Sequence, residues 1–129
     1  MSLLLDTSIL ILHQRGDISI RRQLELLSKR FPSIPSITFI NAFEYLMGIK
    51  LLTKRKTEAI KFLENFTIIN TTEKTPEIMA SIRSIYDKKG ITLSLSDLII
   101  ACLAIENNLT LLTTDADFKK IEELKVMFI

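Results

Sequence analysis

The chain has 129 residues, 47% of them hydrophobic and 25% charged, which is enough for one buried core and lies outside the disordered and collagen-like classes. Its 17 Lys and Arg against 15 Asp and Glu leave a formal charge of only +2, so nucleic-acid binding would need a local patch rather than a global field. The single cysteine, Cys102, excludes an intrachain disulfide; its aliphatic surroundings read as a buried structural thiol and fit a reducing cytoplasm.

The apolar run 3–5 predicts a short buried strand, and Asp6-Thr7-Ser8 supplies a helix-start signal before 9–12. No basic region precedes that run, and no later uncharged stretch approaches the ~20 residues of a bilayer span, so neither secretion nor membrane insertion is expected. An amphipathic helix is predicted over 18–30, with Ile20, Leu24 and Leu27 apolar and Arg21, Arg22, Lys29 and Arg30 basic; Pro32 and Pro35 end it. A strand at 36–38 leads into a helix over 39–52, then a helix over 57–65 and a β-rich stretch at 66–69. Pro76 marks the start of a helix reaching 89, closed by Gly90 in the C′ position. Residues 94–107 form a helix apolar nearly all round, hence covered on more than one side. A strand at 109–113, a short helix over 117–124 and a final strand at 126–129 complete the chain. Strands alternating with helices through short links predict a single α/β domain over 1–129, a three-layer α/β/α sandwich around a mostly parallel sheet.

Asp6 follows the first strand, Glu44 sits in a helix, Asp97 opens the apolar helix, and Asp115 follows a later strand. Open α/β sheets bind ligands beyond the carboxyl ends of their strands, where Asp6 and Asp115 should be neighbours. Glu44 lies on or beside a helix face made by Ile40, Phe43, Met47 and Leu51, so a compensating group is expected for its charge. Taken singly, each has a plain structural role. Asp6 could cap a helix, Asp97 complete a capping box with Ser94, Asp115 or Asp117 serve a turn, and Glu44 reach out to water. Such roles do not account for four acidic residues at these positions in one small α/β chain.

The segments LLLDTSILI at 3–11, INAFEYLMGI at 40–49 and LSLSDLIIACLAIENNLTLLTTDADF at 93–118 resemble, in order and spacing, the PIN-domain family, particularly its VapC-type toxin ribonucleases. The resemblance spans essentially the whole chain. Its specificity comes from combining Asp-Thr-Ser with the Asn-x-x-Glu-x-x-x-Gly helix and the Ser-Asp-aliphatic helix that leads into Leu-Thr-Thr-Asp. It implies a PIN-like fold in which Asp6, Glu44, Asp97 and Asp115 are the catalytic, metal-binding carboxylates, with Ser8 an auxiliary hydroxyl. Asp117 is a further acidic position close by, and which of Asp115 and Asp117 is the nearer ligand stays open. Where these toxins often carry a basic residue before the aspartate, this chain has Thr114.

The implied activity is hydrolysis of RNA phosphodiester bonds by water in line with the leaving oxygen, giving 5′-phosphate and 3′-hydroxyl ends. The implied partners are RNA, a small antitoxin protein and a second copy of the chain, for which Phe39, Phe43 and Leu46 are the apolar contact positions. The donor set suits a hard cation, Mg²⁺ or Mn²⁺, since both favour oxygen ligands. Like charges ~4 Å apart repel by about 4 kcal/mol at an effective dielectric near 20, so converging carboxylates call for a cation. His13, the only histidine, is expected on a helix face or at the surface, which argues against a paired-histidine mechanism.

Lys50, Lys54, Arg55, Lys56 and Lys61 cluster after the Glu44 helix; a solvated loop is the simpler reading and contact with the RNA backbone the functional one. A dehalogenase-type site would need a second aspartate where Ser8 stands, and a receiver domain would need a mid-chain phosphoacceptor on a strand. The remaining alternatives are a PIN nuclease of RNA maturation and a catalytically silent PIN module that binds RNA or protein.

Overall fold

A computed structural model describes residues 2–49 and 53–129. Strand β1 (Leu3–Leu5) is buried at every position, as its apolar run requires. Asp6 ends it with an extended backbone, and its side chain accepts from the Thr7 amide to cap helix α1 (Thr7–Gln14). Asp17 caps α2 (Ile18–Arg30) by accepting from the Ile20 amide, and α2 stops at Phe31 ahead of Pro32. Strand β2 (Ser36–Thr38) passes directly into α3 (Phe39–Gly48) through a capping box made by Thr38 and Asn41. Helix α3 is described only to Gly48 rather than the expected 52; residues 50–52, Leu51 among them, lie outside those described. The next helix, α4 (Thr53–Leu63), starts before the expected 57, because the polar stretch 53–56 has no apolar periodicity to announce it.

Strand β3 (Thr67–Ile69), helices α5 (Thr75–Lys88) and α6 (Leu95–Glu106), and strands β4 (Thr110–Thr113) and β5 (Val126–Phe128) follow. Both α5 and α6 close in the same way. The Ile91 amide donates to the Tyr86 carbonyl and the Gly90 amide to Asp87, with Gly90 at φ 72°. Leu109 and Asn108 repeat those two bonds onto Ala104 and Ile105, with Asn108 at φ 53°. These are Schellman closures, which need a left-handed residue that glycine and asparagine supply most readily.

The helix expected over 117–124 is instead a 3₁₀ segment, Ala116–Lys120, followed by turns. Phe118, Ile121 and Leu124 are all buried, with the Ile121 amide donating to Phe118 and the Leu124 amide to Ile121. A repeat of three matches the 3₁₀ period, and in sequence it is indistinguishable from an α-helical i, i+3 stripe.

Among the described residues the sheet has five strands in the order β3-β2-β1-β4-β5, and every pairing is parallel. The chain steps outward from β1 to β2 and β3, then returns to lay β4 on the other side of β1. That reversal opens a crevice at the carboxyl ends of β1 and β4, the place where such sheets bind ligands. Leu4 and Leu111 face a core with Ile82, Tyr86, Leu98, Ala101 and Phe118, while Leu3, Leu5, Ile37 and Leu112 face another with Ile9, Leu10, Ile20, Tyr45 and Leu63. Helices therefore cover both faces, which gives the α/β/α sandwich. Within α6, Cys102 is fully buried, and that burial pushes its thiol up to about 11, consistent with an inert packing role. Among the described residues no helix is long and apolar enough to cross a membrane.

Candidate active site

The crevice between β1 and β4 collects the acidic positions. Asp6, at the end of β1, is only 7% exposed, so its charge depends on neighbours rather than water. Its Oδ1 accepts from the Thr7 amide at 2.9 Å and from Asn41 Nδ2 at 3.3 Å, and its Oδ2 accepts from the Thr113 hydroxyl at 2.6 Å. Burial raises the Asp6 pKa above the usual carboxylate value; the bonds from Thr113 and Thr7 oppose this, and the charges of Glu44 and Asp115 add to it. The Thr113 hydroxyl also accepts from the Asp115 amide at 3.0 Å, tying the loop after β4 to Asp6.

Glu44 lies on α3 three residues after Asn41. Thr7 Oγ1 donates to its Oε1 at 2.8 Å and Ser96 Oγ to its Oε2 at 3.1 Å, so hydroxyls from α1 and α6 are the compensating groups its position demands. At the start of α6, Ser94 caps the helix by accepting from the Asp97 amide at 3.1 Å. Oxygens of Asp97, Asp115 and Asp117 all lie within 4.8 Å of one another. Burial raises the Asp97 pKa, the Ser94 hydrogen bond lowers it, and the charges of Asp115, Asp6 and Asp117 raise it again. Asp115 is half-buried and Asp117 exposed, with Asp115 Oδ1 accepting from the Asp117 amide at 2.9 Å. Both therefore reach Asp97, and Lys120 sits 3.5 Å from the outer one, Asp117.

Ser8 stands at the rim, its hydroxyl accepting from the Thr114 amide at 3.4 Å. Thr7, one residue earlier, is the hydroxyl that meets Glu44. Four polar residues that the sequence reading passed over as functional therefore hold the carboxylates: Thr7, Asn41, Ser96 and Thr113. Their only sequence signal is proximity, each lying within three positions of an acidic residue of the site.

Other candidates fall elsewhere. His13 is half-buried, 5.7 Å from the Phe62 ring, and lines a cavity of about 510 Å³ with Leu3, Leu5, Arg21 and Phe31 that none of the site carboxylates touches. Arg55 lines a separate cleft of about 480 Å³ with Gln14, Arg15 and Glu58, again without a site carboxylate, and Lys56 is exposed on α4. Lys50 and the side chain of Lys54 lie outside the described residues.

The donors facing the crevice are carboxylate oxygens, those of Asp97, Asp115 and Asp117 close enough to share one ligand, and burial together with neighbouring like charge disfavours the ionised forms of Asp6 and Asp97. A hard divalent cation fits that chemistry: it takes oxygen ligands and relieves the repulsion. No thiol or imidazole is available to favour a softer ion, since Cys102 is buried in α6 and His13 lies in the other cavity.

A parallel α/β sheet with acidic residues gathered at the β1–β4 switch defines a small α/β domain with an acidic site, and comparison with known proteins gives its family. The PIN domain family model matches residues 3–124, and the chain belongs to the PIN-domain family. It is 31% identical to "Ribonuclease VapC" of Rickettsia bellii over 137 aligned positions, covering 98% of this chain and 96% of that one. Among solved structures it is similar to VapBC2 from Rickettsia felis bound to a DNA fragment from its promoter, with TM-score 0.85, 28% identity, and 100% and 99% of the two chains covered. A toxin-antitoxin complex from Klebsiella pneumoniae gives TM-score 0.78 at 29% identity, with 98% and 96% covered.

Proposed function

We propose that this chain is a metal-dependent ribonuclease that hydrolyses RNA phosphodiester bonds, the toxin of a toxin-antitoxin pair. The observation that carries the chemistry is the group formed by Asp97, Asp115 and Asp117 beside buried Asp6. The likeness to a ribonuclease VapC and to VapBC complexes supports the biological role. Asp6, Glu44, Asp97 and Asp115 would hold Mg²⁺ or Mn²⁺, with Asp117 completing the outer side. Bound there, a divalent ion supplies a water of lowered pKa and neutralises charge on the phosphate.

The chain's own residues do the rest. Asp6 and Glu44 are held in place by hydroxyl and amide donors before any ligand arrives. Asp97 and Asp115 project from the start of α6 and the end of β4, so substrate would lie across the carboxyl edge of the sheet. Ser8, whose hydroxyl accepts from the Thr114 amide, would meet a phosphate oxygen, and Lys120, beside Asp117, would supply a basic contact although Thr114 stands where a basic residue is common. Arg55 and Lys56, with Lys50 and Lys54, would neutralise more distant phosphates.

An antitoxin segment that places an arginine among the carboxylates would occupy the cation's position with two charge-assisted hydrogen bonds. A homodimer is the natural use of the apolar face beside the site, where Phe43 and Met47 are each 58% exposed and Leu95 is 62% exposed. Phe39 and Leu46, also expected there, are half-buried. In this reading the chain would act in the cytoplasm, where its RNA substrate is found.

The test is direct. Purified chain should cleave mixed RNA with added Mn²⁺ or Mg²⁺ and stop when chelator is added, and its expression alone should slow growth unless an adjacent small gene is co-expressed. Soluble chain that leaves RNA intact at millimolar Mn²⁺ and Mg²⁺ overturns the ribonuclease reading, and unimpaired growth with active enzyme overturns the toxin role.

A further inference from the structure

Asn41 is fully buried, and it joins three elements that each supply part of the site. Its Oδ1 lies 3.0 Å from the Thr38 amide and 2.8 Å from the Thr38 hydroxyl. A backbone N–H can only donate, so the atom it meets is the amide oxygen and Asn41 Nδ2 must be the end that faces the crevice. Nδ2 carries two protons, and two acceptors await them: Asp6 Oδ1 at 3.3 Å and Thr7 Oγ1 at 3.1 Å. With its oxygen accepting from Nδ2, the Thr7 hydroxyl directs its one proton to Glu44 Oε1 at 2.8 Å. Every donor direction is thus set from the end of β2 outward, and two carboxylates from β1 and α3 are left with acceptor roles only. The amide oxygen is consumed by the α3 capping box, which locks the whole side chain to the fold.

We propose that Asn41 and Thr7 are positioning residues of the cation site: Asn41 orients Asp6 directly and, through the Thr7 hydroxyl, sets the rotamer of Glu44. This rests on the ribonuclease reading above. Neither side chain touches the ion or the phosphate in this assignment. Their effect is to hold two ligands in the geometry a cation needs, and groups of that kind commonly change metal affinity or activity by about 10- to 100-fold when removed.

The test uses metal-stripped chain titrated with Mn²⁺ by calorimetry, comparing wild type with Thr7→Val, Thr7→Ala and Thr7→Ser. Thr7→Val preserves shape and Thr7→Ala adds no bulk; both remove the hydroxyl and leave the Asn41 cap intact. The expected result is a Kd for Mn²⁺ raised about 10-fold in both, with Thr7→Ser returning to the wild-type value, and cleavage at limiting Mn²⁺ falling in parallel. A merely structural role predicts a lower melting temperature without metal and an unchanged Kd. Wild-type Mn²⁺ binding with an unchanged Kd in Thr7→Val and Thr7→Ala overturns the relay from Asn41 through the Thr7 hydroxyl to Glu44 and leaves the ribonuclease reading standing. A wild type that neither binds Mn²⁺ nor cleaves RNA overturns the ribonuclease reading and this role with it.

Discussion

The two ends of α6 carry carboxylates in opposite circumstances. Glu106, in the last turn, accepts from the Thr72 hydroxyl at 2.9 Å and from the Thr75 hydroxyl at 3.0 and 3.2 Å. A negative charge at a helix C-terminus is disfavoured by the dipole, and the two hydroxyls offset it. Asp97, about 14 Å away along the axis, lies in the first turn where the dipole favours an anion. Its pKa is nonetheless raised, by burial first and then by Asp115, Asp6 and Asp117. Glu106 is a structural tie because one acid has donors of its own. The cluster at the other end has more negative charge than its hydroxyl and amide donors balance, and a surplus of that kind is what a cation removes.

The contrast can be broken by exchanging charge for amide at each end. Asp97→Asn should lower Mn²⁺-supported cleavage of mixed RNA by at least about 100-fold, equivalent to about 2.7 kcal/mol in the barrier, while Glu106→Gln should leave initial rates within error. Mn²⁺ at 100 times its Kd should raise the unfolding free energy of wild type by about 2.7 kcal/mol in urea titrations, and Glu106→Gln should gain as much. Thr75→Val sharpens the other side. It strips Glu106 of a donor and the Thr72 amide of its acceptor, so stability should drop by about 1–3 kcal/mol with the cleavage rate per folded molecule unchanged. Gly90→Ala should have the smallest effect, about 1 kcal/mol of stability lost to its φ of +72°, since the added Cβ would meet nothing within 4 Å.

Much of this was legible in the residues because the signals were local. The apolar run of β1, the all-round apolar α6 and Gly90 after α5 each announce one element through a few neighbouring positions. The 3₁₀ segment was not legible, since Phe118, Ile121 and Leu124 satisfy two periodicities and only the hydrogen bonds decide between them. In the site, the charge on Glu44 could be recognised as needing compensation. Its partners Thr7 and Ser96 stand 37 and 52 residues away, and only the sheet's crossover brings them together. The uncertainty between Asp115 and Asp117 had the same origin: a tight turn after β4 lets both carboxylates reach Asp97, which no spacing rule resolves.

The decisive measurement is the melting temperature of metal-stripped wild type and Asp97→Asn, each with and without Mn²⁺, at neutral pH. Because folding raises the Asp97 pKa, stability from this group is full below its unfolded value and is lost as pH rises through the folded one; at neutral pH the ionised side chain therefore costs stability. Asp97→Asn should melt no lower than wild type without metal, and higher if relief of repulsion outweighs lost contacts. Wild type should then rise with Mn²⁺ and the variant much less. Equal rises in both proteins, together with full RNA cleavage by Asp97→Asn, would contradict a cation site at the carboxyl edge of this sheet.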